Sequence, residues 1–224
     1  NGMLEKLGGT AGNIAYALSL LGEKPIIAAA IGRDYHRYFD WLKQNNIACD
    51  DIRIIDEELT AGAYITTDQS DNQITGFHPG AMKHPVRFDF NRFNPEECLV
   101  IIAPGNLEDM MSGAIACKSR GISYIFDPGQ SLPMWEARQL VEAIEGCRIL
   151  ISNDYELDLI ISKTGLDKGA LLRRARAILV TLGELGSRIY LPGGETGIPA
   201  VRPKTVEDPT GAGDSFRGGL ICGL

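Results

Sequence analysis

Apolar residues along the chain fall into two alternating rhythms. Short β-rich runs at Leu99–Ala103, Ser123–Phe126, Ile149–Ser152 and Ile178–Leu182 are separated by helical patterns at Leu107–Arg120, Met134–Gly146 and Asp154–Thr164. Nearer the start, Ala11–Leu21 carries small and apolar residues at helical spacing and is closed by Gly22. Pro25–Ile31 reads as a buried strand ending at Gly32, and Asp34–Asn45 as a helix whose Tyr35, Tyr38, Phe39 and Trp41 serve packing. Runs that are apolar throughout, rather than alternating, mark strands covered on both faces. The pattern predicts an α/β fold: a doubly wound, mostly parallel sheet with helices on both faces.

One stretch departs from this rhythm. Residues 51–80 hold no helical pattern but three strand-like pieces, Ile52–Ile55, Ala63–Thr67 and Gln73–Phe77. The polar run Asp68–Asn72 between the last two predicts a hairpin. A small β lid over about 51–82 is expected, set between the start of the core (1–50) and its remainder (83–224). A plain extension of the sheet is the alternative.

Composition narrows the function. With 224 residues, 44% hydrophobic and 23% charged, the chain suits an ordinary globular fold. Its net charge of −7 argues against nonspecific binding to nucleic acid or anionic lipid. The longest apolar runs, such as Ile26–Ile31 and Cys98–Ala103, are too short to span a bilayer, so no membrane partner is expected. Five scattered cysteines without a Cys-x-x-Cys pair fit reduced thiols in a cytoplasmic setting and offer no zinc spacing. The chain opens at Asn1 and stops at Leu224 inside an apolar helical pattern, so further segments are expected at both ends.

Candidate chemistry concentrates in Asp208-Pro209-Thr210-Gly211-Ala212-Gly213-Asp214-Ser215-Phe216, which leads into a helical pattern to Leu224. A glycine turn that opens a helix aims unpaired N–H donors at one point and makes an anion site. Asp214 in that first turn is odd beside an anion, unless its carboxylate meets a hydroxyl that attacks phosphorus; an ordinary first-turn carboxylate is the alternative. Asn153 and Glu156, three apart where a strand gives way to a helix, form either a capping box or a metal-facing pair. Thr181, Gly183 and Gly186 follow a strand, the usual ligand edge of a parallel sheet, or make a simple turn.

Five segments in order resemble the ribokinase-like (PfkB-type) family of sugar and nucleoside kinases. They are Gly8–Ala15 continuing to Gly22, Ile31-Gly32-Arg33-Asp34, Asn153–Glu156, Val180–Ser187 and Asp208–Gly219. The resemblance implies phosphorylation of a hydroxyl by ATP, with Asp214 as catalytic base and Gly211, Ala212 and Gly213 as anion hole. It implies that Asn153 and Glu156 help hold Mg2+, that Asn153, Thr181, Gly183 and Gly186 lie near ATP, and that Gly8, Gly9 and Asn13 contact the acceptor. A monovalent cation and a homodimer are optional additions. Asn72–Met82, Asp127–Gln130 and Pro209 look like the bacterial adenosine kinase-like branch. On that pattern the expected acceptor is the 5′-hydroxyl of a ribonucleoside, adenosine first, with Gln73 and Phe77 of the lid reading it. A carbohydrate kinase for ribose, fructose or a related sugar is the alternative, and a nonenzymatic nucleotide-binding protein is a further one. A dinucleotide-dependent oxidoreductase is disfavoured, since no Gly-x-Gly-x-x-Gly follows an early strand. The family also begins with a strand and ends with helices that are expected beyond Gly8 and Leu224.

Overall fold

The computed structural model describes residues 5–67, 73–205 and 210–224. The predicted turn Asp68–Asn72, together with Asp208 and Pro209, lies outside the described residues, as does the side chain of Gln73. The chain divides into two compact units, Asn1–Phe88 with Asp214–Leu224, and Asp89–Gly213.

The first unit opens with α1 (Thr10–Leu20), β1 (Ala29–Gly32), α2 (His36–Gln44) and β2 (Ile52–Ile55). β1 and β2 pair in parallel, with Ala29 opposite Ile52 and Gly32 opposite Ile55, so β1-α2-β2 is a crossover unit. Ala15, Ile27, Ile31, Leu42, Ile47 and Ile52 form its core, with Tyr16, Tyr38, Phe39 and Trp41 packed against them. The strand predicted from Pro25 is shorter than expected. Pro25 has no N–H to donate, and Ile26 makes only an isolated bridge to Ala48. β3 (Gly62–Thr67) and β4 (Gln73–His78) then form the predicted hairpin, antiparallel from Gly62–His78 to Thr67–Gln73. Of the three strand-like pieces, β2 therefore joins β1, and the hairpin is a two-stranded ribbon of its own.

The second unit runs β5 (Leu99–Ile102), α3 (Leu107–Arg120), β6 (Ser123–Phe126), α4 (Ala137–Ile144), β7 (Ile149–Asn153), α5 (Asp154–Thr164), α6 (Lys168–Leu172), β8 (Ile178–Thr181), β9 (Ser187–Leu191) and β10 (Gly194–Ile198). Its six-stranded sheet has the order β10-β9-β8-β7-β6-β5. β5 to β8 are parallel, and β9 and β10 close one edge as antiparallel strands. β6, β7 and β8 are buried along nearly their whole length, which is why they read as uninterrupted apolar runs. α4 starts later than Met134, because Gly129–Met134 forms a 3₁₀ turn containing Pro133. Trp135 is extended there, and its indole Nε1 donates to the buried Ser131 Oγ at 3.0 Å.

After residues 206–209 the chain enters α7 (Ala212–Cys222), which packs with the first unit from Asp214 onward. Among the described residues no helix is long and apolar enough to cross a membrane.

The buried Tyr124 ties α4 to the sheet: its Oη donates to Ala143 O at 3.0 Å and to Glu145 O at 2.9 Å. Tyr124→Phe removes the only side-chain donor in that pairing and leaves two carbonyls at the end of α4 without it. We expect a loss of about 1–2 kcal/mol in urea unfolding with an unchanged slope; an unchanged midpoint would show that solvent satisfies both carbonyls.

Candidate functional site

The acceptor-side candidates lie in the first unit. Gly9 caps α1 with φ +94°, a conformation that favours glycine, and brings the exposed backbone of Gly8–Gly9 into the helix. On the first turn of α1, Asn13 Nδ2 donates to Asp214 Oδ2 at 2.8 Å. That hydrogen bond links residues 201 positions apart and depends on how closely α1 and α7 approach. A Cβ on Gly218 would sit 2.6 Å from Ala17 Cβ and 3.5 Å from Ile14 O, so nothing larger than glycine fits without movement. Ala17 lies four residues after Asn13, and Gly218 four residues after Asp214. Residues i and i+4 share a helix face, so this small-residue contact sets the spacing of the polar pair one turn away.

Tyr38, read from the sequence as packing, also reaches this loop. Its Oη donates to Gly8 O at 2.7 Å and occupies the space that a side chain on Gly12 would need. Burial pushes the Tyr38 phenol up to about 12, which keeps it a protonated donor. A missing side chain at position 12 is the sequence signal that would have revealed this contact.

The Gly32–Asp34 motif clamps the entrance to the hairpin. Asp34 Oδ1 accepts from Thr60 N at 2.9 Å and Thr60 Oγ1 at 2.6 Å, while Gly32 N donates to Thr60 Oγ1 at 3.1 Å. Partial burial opposes ionisation of Asp34, yet the Thr60 hydrogen bonds and nearby Arg33 hold its carboxyl below the usual carboxylate range. On the other leg, Ala81 N donates to Leu59 O at 2.8 Å. Between these anchors the ribbon exposes Phe77 and Ile65 on one face and Tyr64 and Ile74 on the other.

The nucleotide-side candidates lie in the second unit, at the C-terminal ends of its parallel strands. Asn153 and Thr181 stand opposite each other at the ends of β7 and β8. Asn153 caps α5: its Oδ1 accepts from Glu156 N at 2.7 Å, and Glu156 Oε2 accepts from Asn153 N at 2.8 Å. The capping box anticipated as one of two alternatives is thus formed. It uses one carboxylate oxygen of Glu156 and leaves Oε1 without a hydrogen bond among the described residues. Thr181 Oγ1 donates to Ser152 O at 3.4 Å. Leu182 N donates to Gly186 O at 2.8 Å, closing the turn that contains Gly183. Gly186 has φ +93°, and a Cβ there would overlap the backbone of Ile198–Ala200.

Gly211, with φ +80°, turns the chain into α7. The amides of Gly211, Ala212, Gly213 and Asp214 precede the first i−4 carbonyl of this helix, so helix geometry leaves them without intrahelical partners. They and the helix dipole suit a negative charge.

The geometry agrees with three comparisons. Residues 2–224 match the model of the pfkB family of carbohydrate kinases. The nucleoside kinase of Methanocaldococcus jannaschii is 36% identical over 217 residues, spanning 96% of this chain and 70% of that protein. A probable fructokinase-4 of Arabidopsis thaliana is 26% identical over 242 residues, spanning 99% of this chain and 74% of that protein. The structure of Burkholderia thailandensis nucleoside kinase with inosine superposes with a TM-score of 0.87 at 38% identity, over 99% of this chain and 72% of that one. The same enzyme with ADP-inosine gives a TM-score of 0.84 at 37% identity, over 100% of this chain and 72% of that one. Matched over nearly its whole length, this chain belongs to the pfkB family of carbohydrate kinases and is a phosphotransferase whose acceptor is a hydroxyl group.

Proposed function

We propose that the chain transfers the γ-phosphate of ATP to the 5′-hydroxyl of a purine ribonucleoside, adenosine first. The observation that carries this reading is the Asn13–Asp214 hydrogen bond at the head of α7, where a carboxylate is oriented in the first turn of a helix whose leading amides have no intrahelical partner. The similarity to nucleoside kinases, one of them solved with inosine, supports a nucleoside over a free sugar. A fructokinase at 26% identity keeps a sugar as the acceptor to test against it.

In this mechanism Asn13 holds one oxygen of Asp214, leaving the other to accept a hydrogen bond from the acceptor hydroxyl. The hydroxyl oxygen forms a bond to the γ-phosphorus as the bond from that phosphorus to the β–γ bridging oxygen breaks. The hydroxyl proton passes to Asp214, and ADP departs. A loose phosphoryl-transfer transition state needs positioning and charge stabilisation more than a strong base. The first-turn amides Gly211, Ala212 and Gly213 receive the charge on the transferring group. Gly8 and Gly9 let acceptor hydroxyls approach the backbone, and Tyr38 holds the Gly8 carbonyl in place. Asn153, Thr181, Gly183 and Gly186 make the nucleotide edge.

Among the described residues no group of three or more His, Cys, Asp or Glu side chains could hold a metal ion. Asn153 and Glu156 would help hold a magnesium ion brought by the nucleotide, since their oxygen donors suit a hard cation. When bound, it would neutralise phosphate charge. The β3–β4 hairpin serves as the lid, with Phe77 presenting a ring to the base.

Asp214→Asn is expected to lower turnover about 10²–10⁴-fold while the KM for ATP stays within a few-fold. Near wild-type turnover in a steady-state assay would remove Asp214 from the role of base.

Glu156→Gln keeps a residue able to close the capping box. The melting temperature should hold while the magnesium concentration for half-maximal rate rises several-fold. A lowered melting temperature with unchanged metal dependence would make Glu156 a cap alone.

Phe77→Ala should raise the KM for adenosine roughly 5- to 150-fold, the loss of about 1–3 kcal/mol of stacking, and leave ribose phosphorylation little changed. Faster wild-type turnover of ribose or fructose than of any nucleoside would overturn the acceptor while leaving the phosphoryl transfer intact.

A further inference from the structure

The parallel strands of the second unit have another end. There the chain enters β6, β7 and β8, and Lys118, Ser123, Arg148 and Arg176 line a cavity of about 300 Å³. Among the described residues no aspartate or glutamate lines it. In a chain of net charge −7, three cations around one hollow without an acid is a local reversal of sign.

Two of these cations are side by side by construction. Leu150 on β7 stands opposite Ile178 on β8. Extending that register two residues back sets Arg148 beside Arg176. The ladder bonds continue to this level, with Arg148 N donating to Tyr124 O at 2.7 Å and Arg176 N to Cys147 O at 3.1 Å. Adjacent strands lie about 4.8 Å apart, so the two arginines leave the sheet from neighbouring points. Like charges at facing positions destabilise a sheet unless something compensates them.

Neither the Arg148 nor the Arg176 side chain makes a hydrogen bond or ion pair among the described residues. The nearby carboxylate of Glu145 is paired with Arg174 at 3.5 Å. Lys118 has a local role as well, since its Nζ donates to Glu142 O near the end of α4 at 3.4 Å. The hydroxyl of Ser123 supplies a neutral donor at the same wall.

We propose that this cavity is a binding site for a small phosphate-bearing molecule, gripped between Arg148 and Arg176 and completed by Lys118 and Ser123. Guanidinium forks match phosphate oxygens in pairs, and the ligand's charge removes the repulsion between the two arginines. A volume of about 300 Å³ lies at the small end of ligand sites, suited to pyrophosphate or the phosphate end of a nucleotide. The site is separate from the kinase chemistry: Arg148 immediately precedes β7 and Asn153 ends it, about 17 Å apart at strand spacing. It does not rest on the proposed acceptor.

The test is NMR of the arginine side-chain Nε–H signals in the full chain at physiological ionic strength, with Arg148→Gln and Arg176→Gln giving the assignments. Inorganic pyrophosphate and adenosine 5′-monophosphate are the two probes. At least one should move both signals to a common saturation, and which one does so tells free from nucleotide-borne phosphate. Either single variant should weaken that binding about tenfold or more, the scale of a charge-assisted hydrogen bond. Kinase turnover without the probe should stay within about twofold in both variants. Shifts that only drift linearly with either probe, as salt screening would cause, overturn the proposal. So does a saturable response of the remaining arginine signal that keeps its affinity in either single variant.

Discussion

The contact of Gly218 with Ala17 is the constraint on which the Asn13–Asp214 hydrogen bond depends. Without a side chain at 218, α7 can approach α1 until Asn13 and Asp214 meet at 2.8 Å. An added methyl would sit 2.6 Å from Ala17 Cβ and force the helices apart. A shift of an ångström there would break the polar pair, because hydrogen bonds lose strength steeply with distance and angle. Geometry at a carboxylate is thus maintained by an apolar contact one helical turn away. Tyr38 repeats the device on the other side of α1, crossing a missing side chain at Gly12 to hold the Gly8 carbonyl.

In the second unit, local folding and candidate chemistry use the same residues. Asn153 and Glu156 satisfy the first amides of α5 and each other's backbone, a requirement of any helix start. The box spends Glu156 Oε2 and holds Oε1 in a fixed direction at the end of β7. Stability and the proposed metal contact at this edge therefore need not compete. The same logic fails at the opposite ends of the strands, where the side chains of Arg148 and Arg176 make no hydrogen bond or ion pair among the described residues.

Much of this protein was legible in the order of its residues. The parallel sheet followed from buried apolar runs at 123–126, 149–152 and 178–182, whose strand identity depends only on burial of both faces. The hairpin between 63 and 77 followed from its polar turn, and the capping box from the spacing of Asn153 and Glu156. These are short-range properties, dictated by periodicity, turn chemistry and unpaired amides within a few residues. The strand begun at Pro25 and the helix begun at Met134 were misplaced at their ends, because element boundaries are settled by which backbone groups find partners elsewhere.

What the sequence by itself determined was the inventory: the sheet and its helices, the glycine turn before α7, and the residue types suited to phosphoryl transfer. Only the tertiary structure decided which of them meet. It turned the amide of Asn13 onto Asp214, made Tyr38 a hydrogen-bond donor to Gly8, attached β2 to β1 rather than to the hairpin, and set Arg148 beside Arg176. Each pairing joins residues from separate elements, and depends on how closely those elements pack. The reason is physical: periodicity reports what one element buries, whereas a contact between two elements depends on side-chain volumes from both.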